Sequence, residues 1–157
     1  MAVFNLMVKQ NLTNVLILED DATLLTSNWS TDSSLWKFVL KDLPFTYDMV
    51  MLSSFGNLRR QGEKVGKNLF LAQASRVSRM YVLSRKGARN MLRTLPIVAP
   101  MDFQINWAGS DRIPKTVTKA PVQNISIFWS EPPMGGQHDA TGRSGTVGGR
   151  KRLRRLR

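Results

Sequence analysis

The sequence predicts an α/β domain built on a mostly parallel sheet flanked by helices, with room for one antiparallel pair. Three observations carry this. The continuous apolar runs "NVLILE" and "YDMVMLSS" have the length and composition of strands buried on both faces. Amphipathic stretches with helix-cap and helix-stop residues alternate with such runs. A chain of 157 residues, 42% hydrophobic and 22% charged, suits one domain with a proper core.

The elements follow in order. Val3, Leu6, Met7 and Gln10 sit at helical spacing, so residues 2–11 read as the end of an amphipathic helix. "NVLILE" is the first strand. Ser and Thr caps then precede Leu35, Phe38, Val39 and Asp42, which predicts a helix over 32–42, ended before Pro44. "YDMVMLSS" is the second strand, and the Gly-rich, charged residues 55–67 form a loop. "NLFLAQAS" and "RMYVLS" read as two short strands paired with each other. Ser84 then caps a helix with Ala88, Met91, Leu92 and Leu95 on one face, which stops at about Leu95, before Pro96. A short helix is expected at "PMDFQINW" and a last strand at "KTVTKAP"; "QNISIFW" is ambiguous. From about Glu131 the composition shifts to Gly, Pro, Ser and Arg, so a domain over 1–130 and a disordered tail over 131–157 are expected. There is no internal repeat.

Much of the net charge of +12 comes from the end of that tail. From Arg143 onward there are seven basic residues and no acid, leaving 16 basic against 11 acidic residues before it. Such a run is usually a solvated extension, with an anionic partner as the lesser reading. The absence of cysteine excludes disulfides and thiolate zinc sites. No window reaches the 18 or so apolar residues of a membrane span, and "MAVFNLMVKQ" does not make a signal peptide. A cytoplasmic location is therefore the expectation.

Chemistry is concentrated where "VLIL" runs into Glu19, Asp20 and Asp21. Three adjacent carboxylates after an apolar strand are tolerable either in a solvated turn or around a hard divalent cation such as Mn²⁺ or Mg²⁺. Spacing alone favours the turn. Asp102, flanked by apolar residues, suits either helix capping or general-base work, and alone capping is the better reading. Trp107 is more simply packing than a platform for a sugar ring. His138, without a partner nearby, and the sequons at Asn11, Asn28 and Asn124 are assigned no role.

"VLILEDDATL", "YDMVMLSS" and "SRMYVLSRKGARNMLRTLPIVAPMDFQINW" come in an order and spacing that resembles glycosyltransferase family 25, the lipopolysaccharide-type and collagen-type galactosyltransferases. The resemblance covers residues 1 to about 125. It implies a GT-A-like (Rossmann-like) fold and transfer of a sugar, often galactose, from a UDP-sugar donor to a glycan, lipid-linked or protein-linked acceptor. It also implies that Glu19, Asp20 and Asp21 hold Mn²⁺ or Mg²⁺ against the donor diphosphate, with Asp21 the foremost ligand. Asp102 would be the base that takes the acceptor proton. Ser84, Arg85 and Lys86, or the helix N-terminus that they open, would face phosphate, although Ser84 can simply cap. Family members carry a nucleotide-binding strand–helix–strand half before the acidic block, so the chain is expected to be incomplete at its N-terminus and to expose an apolar edge. The alternative is a catalytically inactive remnant or accessory binding subunit. A basic nucleic-acid binder ranks last, because its support is nearly all in the tail.

Overall fold

A computed structural model describes residues 2–24, 37, 39, 41–53, 62–72, 78–93, 105, 125–131 and 133–137. Within them, helix α1 (Ala2–Lys9) is followed by β1 (Asn14–Leu18), β2 (Ala22–Leu24), β3 (Met49–Met51), β4 (Leu69–Leu71) and β5 (Met80–Ser84). Helix α2 (Arg85–Leu92), β6 (Ile127–Ser130) and β7 (Gly135–Gln137) complete the set. One sheet has five strands in the order β1-β5-β3-β6-β4, and β2 and β7 form a separate antiparallel ribbon. The fold is mixed α/β.

The sheet corrects the expected direction of its strands. Only β3 and β6 pair in parallel, while β1–β5, β3–β5 and β4–β6 are antiparallel. The expected pairing of "NLFLAQAS" with "RMYVLS" is also overturned, since β4 pairs β6 and β5 lies between β1 and β3. The physical reason is the same for both. Continuous apolar character reports burial on two faces, and says nothing of direction or neighbour. Tyr81 and Leu83 of β5 enter one core cluster with Phe4, Met7, Ala88 and Met91. Met80 and Val82 enter the other, with Val39, Val50, Leu52, Leu69, Phe128 and Met134. Successive residues point to opposite faces, so layers on both sides of the sheet demand an unbroken apolar strand. β1 departs from the expected burial on both faces: Asn14, Leu16 and Leu18 are exposed, because this outer strand is covered on one face only.

Local chemistry fixes both helices. At the end of α1, Asn11 takes a left-handed conformation with φ 58. The Asn11 amide donates to Val8 O at 3.2 Å and the Leu12 amide to Met7 O at 3.1 Å, the paired bonds of a Schellman cap. Asparagine tolerates that backbone because its short polar side chain finds local partners, and here Oδ1 accepts from Arg85. Ser84 is the N-cap of α2, its Oγ accepting from the Gly87 amide at 2.9 Å. The helix runs to Leu92 with Arg93 as its C-cap, three residues short of the expected stop at about Leu95.

Of the helix expected over 32–42, the described residues Lys37, Val39, Lys41 and Asp42 are helical. "QNISIFW" resolves into strand β6. Gly135–Gln137 pairs with β2, so part of the stretch expected to carry little order is a strand. The expected elements at "PMDFQINW" (except Ile105, which is helical) and "KTVTKAP", and the tail from 138 on, lie outside the described residues. No helix among the described residues is long and apolar enough to cross a membrane.

Candidate functional site

Strands β1, β3 and β6 share one direction, because β5 is antiparallel to both β1 and β3, and β6 is parallel to β3. Their carboxyl ends therefore lie on one edge of the sheet, the side on which open α/β sheets usually collect ligand chemistry. Glu19, Asp20 and Asp21 leave β1 on that edge. They form a tight turn in which the Ala22 amide donates to Glu19 O at 3.0 Å. Glu19 and Asp20 are exposed and Asp21 is half-buried.

The dipeptide before β5 grips this turn. The Glu19 amide donates to Arg79 O at 2.8 Å, the Ser78 hydroxyl donates to Glu19 Oε1, and Arg79 Nε stands 3.5 Å from Asp21 Oδ2. Leu52 and Ser53 close the same edge at the end of β3. The Ser53 hydroxyl accepts from the Met80 amide at 3.1 Å, and Leu52 O accepts from Met134 and Gly135, which lead into β7. Ser130, the last residue of β6, has a buried hydroxyl with no hydrogen-bond partner among the described residues. Buried hydroxyls are normally satisfied, so Ser130 leaves polar capacity at this edge. No group of three or more His, Asp or Glu side chains forms a ready-made metal cage among the described residues.

Ser84, Arg85 and Lys86 are elsewhere. Asn14 pairs with Ser84 and Leu18 with Met80, so the acidic turn and the start of α2 flank opposite ends of β5. Five strand residues separate the two groups by about 13 Å or more. Besides capping α2, the Ser84 hydroxyl donates to Tyr47 O at 2.9 Å. Arg85 bonds Asn11, while Lys86 Nζ donates to Thr46 O at 3.0 Å and pairs with Asp48 at 3.3 Å. The structure thus brings the three acids together and sets the three helix-start residues apart from them. Asp102 lies outside the described residues.

Sequence reasoning missed Ser78, Arg79 and Asp48. The first two were hidden because only the β1–β5 antiparallel register carries them to the acids. Asp48 did leave a signal, a lone carboxylate at the head of an apolar strand. It is fully buried: Oδ2 accepts from the Ser126 amide at 2.8 Å and Oδ1 from Asn90 Nδ2 at 3.1 Å. It joins the starts of β3 and β6 to α2.

Tyr81 adds a measurable property to the edge. Burial, reinforced by the Glu19 carboxylate, pushes its phenol up to about 12. A raised acid pKa favours the neutral native form, so this contribution is complete below pH 10 and is lost as pH climbs from 10 towards 12. Linkage converts the shift to about 2–3 kcal/mol. Urea unfolding across that window should show wild type losing stability faster than Tyr81→Phe; matching slopes would contradict the assignment.

The arrangement defines a class: a mixed α/β protein whose polar chemistry gathers at one carboxyl edge, with three adjacent acidic residues and an arginine beside them. The model of glycosyltransferase family 25 (LPS biosynthesis protein) matches residues 1–105. The chain belongs to glycosyltransferase family 25. No curated protein and no solved structure matches it. Membership suggests glycosyl transfer, with a nucleotide-sugar donor and an acceptor as the implied ligands.

Proposed function

We propose that the protein is a metal-dependent glycosyltransferase, moving a sugar such as galactose from a UDP-sugar to a hydroxyl of a glycan, lipid-linked or protein-linked acceptor. One observation carries the reading: in a member of this family, the acidic turn leaves β1 on the side of the sheet where the carboxyl ends of β1, β3 and β6 all lie. We read the sheet as part of a GT-A-like frame on the same ground.

The residues fit the implied ion. Carboxylate oxygens are the donors that Mn²⁺ and Mg²⁺ take, and such ions commonly use one or two protein carboxylates with substrate phosphate completing the shell. Glu19, Asp20 and Asp21 would hold it, and its charge would stabilise the departing nucleoside diphosphate. Ser78 and Arg79 keep Glu19 and Asp21 oriented on the turn. The Arg79 guanidinium also places positive charge at this edge, in a form suited to phosphate oxygens. Asp102 would accept the proton of the acceptor hydroxyl as the new glycosidic bond forms.

Titration of UDP-galactose by calorimetry tests the reading. Binding is expected with Mn²⁺ and is expected to vanish in EDTA; equal binding in both would contradict the metal site. One observation favours the accessory-subunit alternative. Ser78 and Arg79 already engage Glu19 and Asp21, so the turn holds its shape without an ion. On that alternative no donor binds under either condition.

A further inference from the structure

Strand β1 is an outer strand of the five-stranded sheet, and among the described residues it pairs only with β5. Edges of soluble proteins are normally guarded by lysine, proline, a bulge or a covering loop. "NVLIL" has no lysine, proline or glycine. Instead Leu16 and Leu18 are 44% and 55% exposed, and Leu24 beyond the acidic turn is 54% exposed.

The two ends of this edge carry opposite charge. Exposed Glu19 and Asp20 stand at the carboxyl end. Exposed Lys9 ends the helix that leads into the amino end, and Arg85 is held there by Asn11. A strand that is apolar in the middle and oppositely charged at its ends is complementary to itself when turned antiparallel. Centred on Leu16, such a pairing sets Leu18 against the partner's Asn14, so the acidic turn that follows Leu18 comes beside the residues that precede the partner's Asn14, among them Thr13, whose O accepts from the Arg85 amide at 2.9 Å. It therefore carries the partner's Arg85 to the acidic turn. The cationic group that the fold keeps at the far end of β5 is returned from a second copy.

We propose that two copies of the chain associate about a two-fold axis through their β1 edges, each supplying Arg85 to the acidic turn of the other. The occupant is a second copy because charge, polarity and unpaired backbone all repeat correctly under that operation, which is the requirement of an isologous interface. That Arg85 there would face donor phosphate rests on the function proposed above; the association itself does not.

Sedimentation velocity on the whole chain without nucleotide tests the association. A dimer is expected, weakening by about tenfold on raising salt, since part of the attraction is between exposed charges. Leu16→Lys and Leu18→Lys, both at exposed positions, should yield monomers with unchanged circular dichroism. Asp20→Lys and Arg85→Asp should each weaken association about tenfold, and the two together should restore most of it. A wild-type monomer at about 100 µM, open-ended aggregates in place of a dimer, or a dimer indifferent to both lysine substitutions would overturn the proposal. Failure here leaves donor binding untouched, and loss of metal-dependent donor binding leaves the dimer standing.

Discussion

Replacing Asp48 with alanine is expected to destabilise the protein by about 3–4 kcal/mol, a large share of the 5–15 kcal/mol that holds a typical domain together. The carboxylate is fully buried and bonded to Ser126, Asn90 and Lys86. Hydrogen bonds to an ionised acceptor are the strong kind, and losing the acceptor strands the Ser126 amide and the Asn90 amide in low dielectric. Lys86 limits the damage, because its side chain is 55% exposed and can turn to water. The loss therefore stays below that of breaking a wholly buried ion pair. Asp48→Asn keeps the shape and one acceptor, so about half the effect is expected. Urea unfolding measures both; a loss under about 1 kcal/mol for the alanine variant would show that the cluster does not anchor β3 and β6 to α2.

Gly87→Ala is the second large effect, and its sign is the informative part. Alanine in a helix interior normally gains about 1 kcal/mol over glycine. Here a Cβ would stand 2.2 Å from Asp48 O and 2.8 Å from Asp48 C. Both are backbone atoms of the residue leading into β3, so no side chain can swing aside to make room. Either α2 lifts from the sheet or β3 shifts, and overpacking of this kind costs about 1–3 kcal/mol. The same movement would strain the Lys86 and Asn90 bonds to Asp48. Losses for Gly87→Ala and Asp48→Ala should consequently be less than additive in the double variant. A gain in melting temperature for Gly87→Ala would mean that the helix does not sit this close.

What could be read from the sequence follows from what apolar patterning encodes. Burial is encoded for β3 and β5, which are buried throughout; β1 and both helices sit where their runs place them, but β1 exposes Leu16 and Leu18. Ser84 announced α2 by its hydroxyl, and the structure uses it as the cap. Strand direction is not encoded in burial, which is why a sheet with three antiparallel pairings reads as mostly parallel. β7 was missed because "GGQ" has no apolar signature; its strand conformation comes from pairing with β2. The acids of the candidate site were visible as a triplet at a strand end. Their partners Ser78 and Arg79 were not, because a register across 59 residues of chain brings Ser78 to Glu19. Arg85 and Lys86, which the family resemblance placed near phosphate, instead lie at the far end of β5 because β5 runs antiparallel to β1.

The proposed function requires the carboxylates of this edge to hold the donor by way of a divalent ion. Calorimetric titration of UDP-galactose in the presence of Mn²⁺, comparing wild type with Asp21→Asn, tests it most directly. The account predicts Mn²⁺-dependent binding for wild type, and for the variant a loss of about tenfold or more with no further change on adding EDTA. Asp21→Asn that binds as wild type does, with the same dependence on Mn²⁺, would contradict it.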